Sequence, residues 1–548
     1  MRVRTTGSLL VLFLSFAANV CATPVHLWSH NYGDSDSQFA DACFADPFGN
    51  VILVGSFYGS VNIATPYTSL GRRDAIVAKW DKNGNPLWSK RVGFQSVDTG
   101  WSGTSDNSGN IIMVGSTGPH PNQRDAFMAK YAPDGTQSWI KYFVSSGPDS
   151  TAYVVAVATD ATKHIHVVGL YLGSINLGGS TLVAQTPGLE DMFWAEFDAG
   201  GNHIWSKTFH STVGMQVVSI AVDTNAQPVA FGDFGGQLNF GGGALNAVGS
   251  NDLFLVKLDT NGNHVWSHRY GESGDCYSKS MAVDPTGRIC ITGELYGTVN
   301  FGGGTLTPVN LPDIFIAMFN ATGSHLWSKR FGDADQDRGN WVSFASNNDV
   351  ILSATAAGPG AIDFGGGALT LASGTYATFV ARFFPNNGAH RWSTKFVSDT
   401  FVFGMASESK GQLVMGGGFE GAVSLNPTGS DLVSTGSEDL FVARFSEQLT
   451  AAGPTFARAS LAQNTPNPFN PTTSIAYTLP APAHTVIEIV DVSGVVVARI
   501  DEGMQPAGAH NTIWNGRDDD GTPAASGVYF YRLQGMPDVA ARKMVLLK

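Results

Sequence analysis

Apolar and polar residues alternate along most of this chain in short runs, broken by Gly, Asn, Asp and Pro. In DLFLVKLD, from Asp252, Leu, Phe and Val recur as a half-buried strand requires. Asp259-Thr260-Asn261-Gly262 is turn chemistry, with Gly262 free to take a positive φ, and NHVWSHRYG is the return strand. Upstream lies a second hairpin, SMAVD-PTG-RICITGE (Ser280 to Glu294), with a counterpart in FADP-FGN-VILVGS (Phe44 to Ser56). The pattern predicts an all-β fold.

The same unit returns along the chain. A Trp recurs at 28, 88, 139, 205, 266, 327 and 392, at intervals of 60, 51, 66, 61, 61 and 65 residues. An Asp opens an apolar run at 74, 125, 191, 252, 313 and 439, with Thr378 in the equivalent slot. From this landmark to the next Trp is 14 residues in all six units that have one, and a Gly stands four before the Trp (Gly84, Gly135, Gly201, Gly262, Gly323, Gly388). Each unit therefore holds four short antiparallel strands, A to D, with the Trp on strand D. Four strands in roughly 60 residues is the length of a long β-propeller blade.

The chain ends set the blade count. It opens on a lone D strand at Trp28 and ends a seventh C strand, from Asp439 to Phe445, with no Trp after it. Residues 26–31 are expected to supply the missing strand and close a seven-bladed ring over 23–449. An open solenoid would not need that phase offset. The phrases FGGGAL, DLFLVKLDTNGNHVWSHRYG and DPTGRICITGELYG resemble the repeats of secreted bacterial seven-bladed propellers (SBBP-like repeats). The resemblance implies the fold; that family brings no assigned chemistry.

Residues 1–22 read as a signal peptide: Arg2 and Arg4, an apolar run from Ser8 to Val20, and small residues before a cut after Ala22. A lipoprotein reading of Cys21 would want a small residue where Val20 stands. No later segment is apolar enough for a membrane-spanning helix. Export permits disulfides, but Cys43, Cys276 and Cys290 are odd in number, and the hairpin partner of Cys290 falls near Met281, not Cys276. Three buried free thiols are expected. The net charge of −13 argues against nucleic acid, which needs a basic footprint.

Residues 450–463 read as a linker, and 464–548 as a small Ig-like β-sandwich. Prolines in NTPNPFNPTTSIAYTLP forbid helix, and TVIEIVDVSGVVVARI is a hairpin about Ser493-Gly494. Four motifs stand out: Pro466 to Pro471 (PNPFNP), Trp514 to Asp518, Gly527-Val528-Tyr529, and the close from Arg542 to Lys548. They resemble the C-terminal sorting domain of type IX secretion substrates, which overlaps with the Ig-like domain of flagellar hook-capping proteins. On that resemblance Pro468, Asn470, Gly527, Tyr529, Lys543 and Lys548 carry the sorting motif. It implies an outer-membrane secretion machinery as partner and a secreted or cell-surface location. An Ig-like module without a sorting role is the alternative.

Catalytic motifs are absent: no HExxH, no GxSxG, no Walker A loop. Gly416, Gly418 and Gly421 fit GxGxxG but precede no helix pattern. His164 and His166 share a strand face, with no third ligand in sight, and a solvated face is the expectation. His26, His203, His264, His325 and His390 each stand two before a repeat Trp, which suggests packing. The long D–A and B–C connections share one face of the disc, and several D–A loops are acidic: Asp34, Asp36, Asp98, Asp149, Glu272, Asp275, Asp333, Asp335, Asp337 and Asp399. These acids would hold a cation or basic partner, or simply keep the disc soluble. Asp333, Asp335 and Asp337 have the alternate spacing of calcium loops, but Gly339 comes one place late and Phe344 stands where a Glu would close the loop. Trp101, Tyr153, Tyr277 and Trp341, near strand A starts, fit either a binding face or core packing.

The expected function is a non-enzymatic propeller that binds a surface protein, glycan or cation through its variable loop face, without a required cofactor. A structural surface component or adhesin, and a propeller hydrolase or lyase, are the rival readings.

Overall fold

A computed structural model describes residues 24–120, 123–310, 312–398, 402–409, 411–425, 432–447, 459–479, 483–505, 508–534 and 539–547. All regular structure among them is β-strand. The residues divide into two compact units, 24–447 and 459–547.

The first unit is a ring of seven four-stranded antiparallel blades. In blade one, strands A to D are Gln38–Ala45, Val51–Phe57, Asp74–Trp80 and Pro86–Val92. Strand A of the later blades begins at Thr99, Ser145, Gly214, Cys276, Asp337 and Val402. Each blade packs on the next, and the seventh packs on the first. Pro24–Tyr32 supplies strand D of blade seven, with Trp28 opposite Arg444. The inner strands B and C are buried along their whole length, for instance Val51–Phe57 and Asp252–Leu258. This is why they read as continuous apolar runs in the sequence.

The two sequence landmarks meet in space. A Cβ on each C–D turn glycine would stand within 2.7–3.3 Å of the Trp of the preceding blade: Gly84 on Trp28, Gly135 on Trp88, Gly201 on Trp139, Gly262 on Trp205, Gly323 on Trp266 and Gly388 on Trp327. Several indoles also donate to a carbonyl of that turn, Trp28 to Lys82 at 3.1 Å and Trp327 to Pro385 at 2.8 Å. The Trp thus stitches neighbouring blades. The glycine is required twice over, by its positive φ (74° at Gly262) and by the indole above it.

The strand C landmark is a cap. The Asp252 carboxylate accepts from Val248 N at 2.8 Å and pairs with Arg269 at 2.5 Å. Asp313 does the same with Val309 N at 2.7 Å and Arg330 at 2.5 Å. Side chains at Gly33, Gly93, Gly271 or Gly332 would overlap these carboxylates, which explains the Gly that closes HNYG, KRVG, HRYG and KRFG.

Cys43, Cys276 and Cys290 are free and buried. Cys290 faces Ala282, one residue from the expected Met281. Burial pushes the Cys43 and Cys276 thiols up to about 12. The B–C connections are not plain loops. Most carry a two-stranded ribbon, such as Gln237–Asn239 with Ala244–Asn246.

The second unit is a two-sheet sandwich. Ser460–Leu461, Thr473–Leu479 and Gly508–Trp514 form one sheet; Val496–Gln505, Ala483–Val490, Gly527–Leu533 and Arg542–Leu546 form the other, in that order. Phe469, Trp514 and Tyr529 stack in its core, with ring centroids 5.4–5.6 Å apart. The motif residues gather around the last strand. Phe469 N donates to Val545 O at 3.0 Å, Tyr529 pairs with Met544, and Gly527 pairs with Leu546. Pro468, Asn470 and Lys543 are exposed, whereas Tyr529 is buried. Lys548 lies outside the described residues.

The axial cavity as candidate functional site

The acidic D–A loops are built into the fold. Asp34 accepts from Asp36 N at 2.9 Å, Gln38 Nε2 at 3.0 Å and Ser60 N at 2.6 Å. Asp98 is fully buried and accepts from Phe94 N and Gly118 N, at 2.7 and 2.8 Å. Asp275 accepts from Ser250 N and Asn251 N, each at 3.1 Å. Asp333, Asp335 and Asp337 are brought together, but Asp333 accepts from the Asp335 and Ala361 amides and Asp337 from Asp333 N at 2.8 Å. Burial, with its acidic neighbours, pushes Asp337 up to about 7. Asp149 and Glu272 are exposed, and Asp399 lies outside the described residues. Among the described residues no three His, Cys, Asp or Glu side chains are grouped to hold a metal ion.

The histidines pack. Nε2 of His26, His203, His264, His325 and His390 bonds the Ser three residues on, at 2.9–3.1 Å. Four of these rings are covered by the ribbon glycines Gly179, Gly242, Gly303 and Gly366, where any side chain would overlap the imidazole. That accounts for FGGGAL. The solvated face expected for His164 and His166 is corrected by the structure: His166 is fully buried. In blades one, two and four a strand C lysine reaches the A–B turn Asp, Lys79 to Asp46 at 2.9 Å, Lys130 to Asp106 at 3.3 Å and Lys257 to Asp223 at 2.6 Å. In blade three Glu196 replaces that lysine, and His164 lies 2.7 Å from it, beside Asp160.

The residues that converge lie on the axis. In six blades strand A carries a β-bulge against strand B, which leaves one residue unmatched: Asp41, Trp101, Val155, Val218, Lys279 and Asn340. A bulge re-aims a side chain. All six line one cavity of about 480 Å³, together with Trp341, Gly418 and Glu438. Phe39, Gly418 and Glu438 mark its upper end, where strand A begins and strand B ends, on the face that carries the D–A and B–C loops. In five of these blades the bulge also presses a strand A carbonyl onto a strand B glycine. A side chain at Gly55, Gly115, Gly169, Gly232 or Gly293 would overlap it.

The cavity wall is charged. Asp41 Oδ2 is enclosed and has no hydrogen-bond partner among the described residues. Burial pushes Asp41 up to about 7, with Arg73 pulling it down and Glu438 pushing it further up. Burial likewise raises Glu438 to about 7, against the pull of Arg73 and with the Glu420 charge pushing it further up. The Arg73 guanidinium lies 4.3 Å over the Phe39 ring, and its Nε donates to Ser56 Oγ at 2.7 Å. On the opposite arc Lys279 pairs with Glu294 at 3.1 Å. Asp233, beside them, accepts from Ser278 Oγ at 2.5 Å, and burial pushes it up to about 6. Carboxyl groups raised to neutrality inside a cleft are a mark of functional sites.

Of the four aromatics, Trp101 is 37% exposed at the cavity wall. Trp341 also lines it and packs on the core that holds Ala40 and Cys43. Tyr153 donates to Glu190 Oε2 at 2.7 Å and Tyr277 stacks edge-on against Tyr296. Asp41, Lys279 and Glu438 were not singled out in the sequence, although a signal existed. At the bulge the repeat changes chemical character from blade to blade, whereas the strand D Trp and the turn Gly four before it keep their type.

Residues 465–537 match the FlgD Ig-like domain family. Over 297 residues the chain is 24% identical to the uncharacterized WD repeat-containing protein L264 of Acanthamoeba polyphaga mimivirus. That match takes in 48% of this chain and 18% of the relative, so the chain spans under a fifth of its length. Among solved structures, the Pan2 WD40 domain of Neurospora crassa is similar at 9% identity and a TM-score of 0.38, over 77% of this chain and 98% of that one. Quinohemoprotein alcohol dehydrogenase of Comamonas testosteroni is similar at 11% identity and a TM-score of 0.38, over 78% and 77%.

Proposed function

We propose that the first unit is a binding propeller whose seat is the axial cavity, not the loop acids. The observation that carries this is the ring of six bulged residues. They share one backbone geometry and differ in side chain, so the fold does not dictate their identity. Trp101 and Trp341 offer apolar faces, and Asp41, Glu438 and Lys279 offer polar grips, the usual make-up of a small-ligand site. A glycan end or a protein side chain fits such a seat. Probing arrays of glycans and peptides with wild-type protein and with Trp101→Ala tests it. Signals lost in the variant support the seat; unchanged signals refute it.

We further propose that the Ig-like unit serves as a sorting domain, which would place the propeller at the cell surface or in the medium. The match to the FlgD Ig-like family and the clustering of the PNPFNP motif against the last strand support the reading. The intact mass and location of the protein made by its own host test it. A surface species lacking the tail agrees; a full-length periplasmic species does not.

One observation favours a second reading, a hydrolase or lyase. Asp41 and Glu438 are both raised to about 7 within one cavity, as a general acid and base would be. Product release from polysaccharides that is lost in Asp41→Asn and Glu438→Gln would establish it.

A further inference from the structure

The bulged wall of blade one is short of one positive charge. Asp41 and Glu438 come from blades one and seven, and a single guanidinium, Arg73, acts on both. That guanidinium is already engaged with Ser56 and the Phe39 ring. The cation among the lining residues, Lys279, is held by Glu294 across the cavity. Asp41 Oδ2 is enclosed without a partner among the described residues, although an unpaired buried carboxylate is costly.

Two indoles line the same cavity as this acid. Trp101 belongs to blade two, next to Asp41 in the ring, and shows part of its surface to the cavity. Trp341 reaches from blade six to the core beneath Ala40. A carboxylate in a cavity that indoles also line attracts a desolvated cation by charge and by the ring quadrupoles together. Neither a neutral sugar nor an anion would offset the missing charge.

Resting on the proposed axial seat, we infer that Asp41, Glu438, Trp101 and Trp341 bind an ammonium group carried by the ligand. The group can belong to a free alkylammonium compound or to a lysine side chain of a peptide. Bound there, it favours the ionised carboxylates and releases protons from them. Binding therefore strengthens as pH rises through about 7, the range to which Asp41 and Glu438 are raised, with Arg73 opposing that shift.

Calorimetric titration of the full chain tests this, with tetramethylammonium chloride and the blocked peptide acetyl-Ala-Lys-Ala-amide as cationic probes. Cellobiose and sodium acetate at matched ionic strength are the uncharged and anionic comparators. Saturable binding of at least one cationic probe is expected. It should weaken at least about tenfold, 1.4 kcal/mol, in Asp41→Asn and in Trp101→Ala, and stay unchanged in Asp34→Asn. A folded Asp41→Asn variant, shown by an unaltered circular dichroism spectrum and melting temperature, keeps the comparison clean. The tetramethylammonium and peptide arms distinguish a small amine from a protein ligand. Equal binding by wild type and Asp41→Asn, or no cationic binding at all, overturns the inference. If cellobiose or acetate binds in a Trp101-dependent way while the cations do not, the axial seat stands and the ammonium inference falls. If no probe binding depends on Trp101, both fall.

Discussion

The carboxylate of Glu438 lies over the bare Cα of Gly418, in the space that a side chain there would fill. The glycine lets a blade-seven acid lean into the cavity beside Asp41. Gly418 lies outside the left-handed region, so Gly418→Ala has a favourable backbone part, about 0.4–1 kcal/mol through the unfolded chain. It should still displace Glu438 and weaken cavity binding about tenfold. Calorimetry and thermal melting on the one variant separate the two effects.

The stitch between blades sets a second expectation. At Gly262 an alanine would meet both a φ of 74° and the Trp205 indole. The left-handed conformation alone costs an L-residue roughly 1–2 kcal/mol. Gly262→Ala should lower stability by about 2 kcal/mol, measured by denaturant unfolding. An alanine at exposed Gly188, with nothing within 4 Å but a φ of 82°, should cost only the backbone part.

Lys257 and Asp223 form a buried pair at 2.6 Å. Lys257→Met leaves a buried carboxylate without its cation, at a cost of about 3 kcal/mol. Adding Asp223→Asn should recover part of that loss. A double-mutant cycle of unfolding free energies reads the coupling.

Burial holds the imidazoles of His26, His203, His264, His325 and His390 below the ordinary 6.5. The unfolded chain therefore takes up protons at a higher pH than the fold. Their stabilising contribution is fully present above about pH 6.5 and declines as pH falls below it. Asp41, Glu438 and Asp337 act with the opposite sign, because their raised carboxyls favour the protonated fold as pH falls through 7. His264→Gln isolates the first effect. The stability gap between wild type and this variant should narrow from pH 7.5 to pH 5.5, in melting temperatures at matched ionic strength.

The ring was legible because its parts repeat. The Trp at 28 to 392 and the Gly four before it are fixed by one contact made six times, so their spacing carries the blade count. The lone strand at Trp28 announced the closure on Arg444 in the same way. The site was less legible for the converse reason. Asp41 sits between Ala40 and Ala42 and Lys279 between Ser278 and Ser280, and only a bulge turns them to the axis. A bulge adds one residue and leaves no turn signature. Several of the loop acids, conspicuous in the sequence, are spent on backbone amides, as Asp34 and Asp98 show. His166 was hidden differently. Glu196, 3.9 Å from its ring, is a one-blade replacement of lysine on another strand, 30 residues on.

The most direct test of the axial seat compares two variants on one glycan and peptide array. Asp41→Asn with Trp101→Ala alters the cavity; Asp36→Asn with Glu272→Gln alters the loop acids. Binding lost in the cavity variant and kept in the loop variant is the result expected. Binding kept in the cavity variant and lost in the loop variant would contradict it, and would return the function to the loop face.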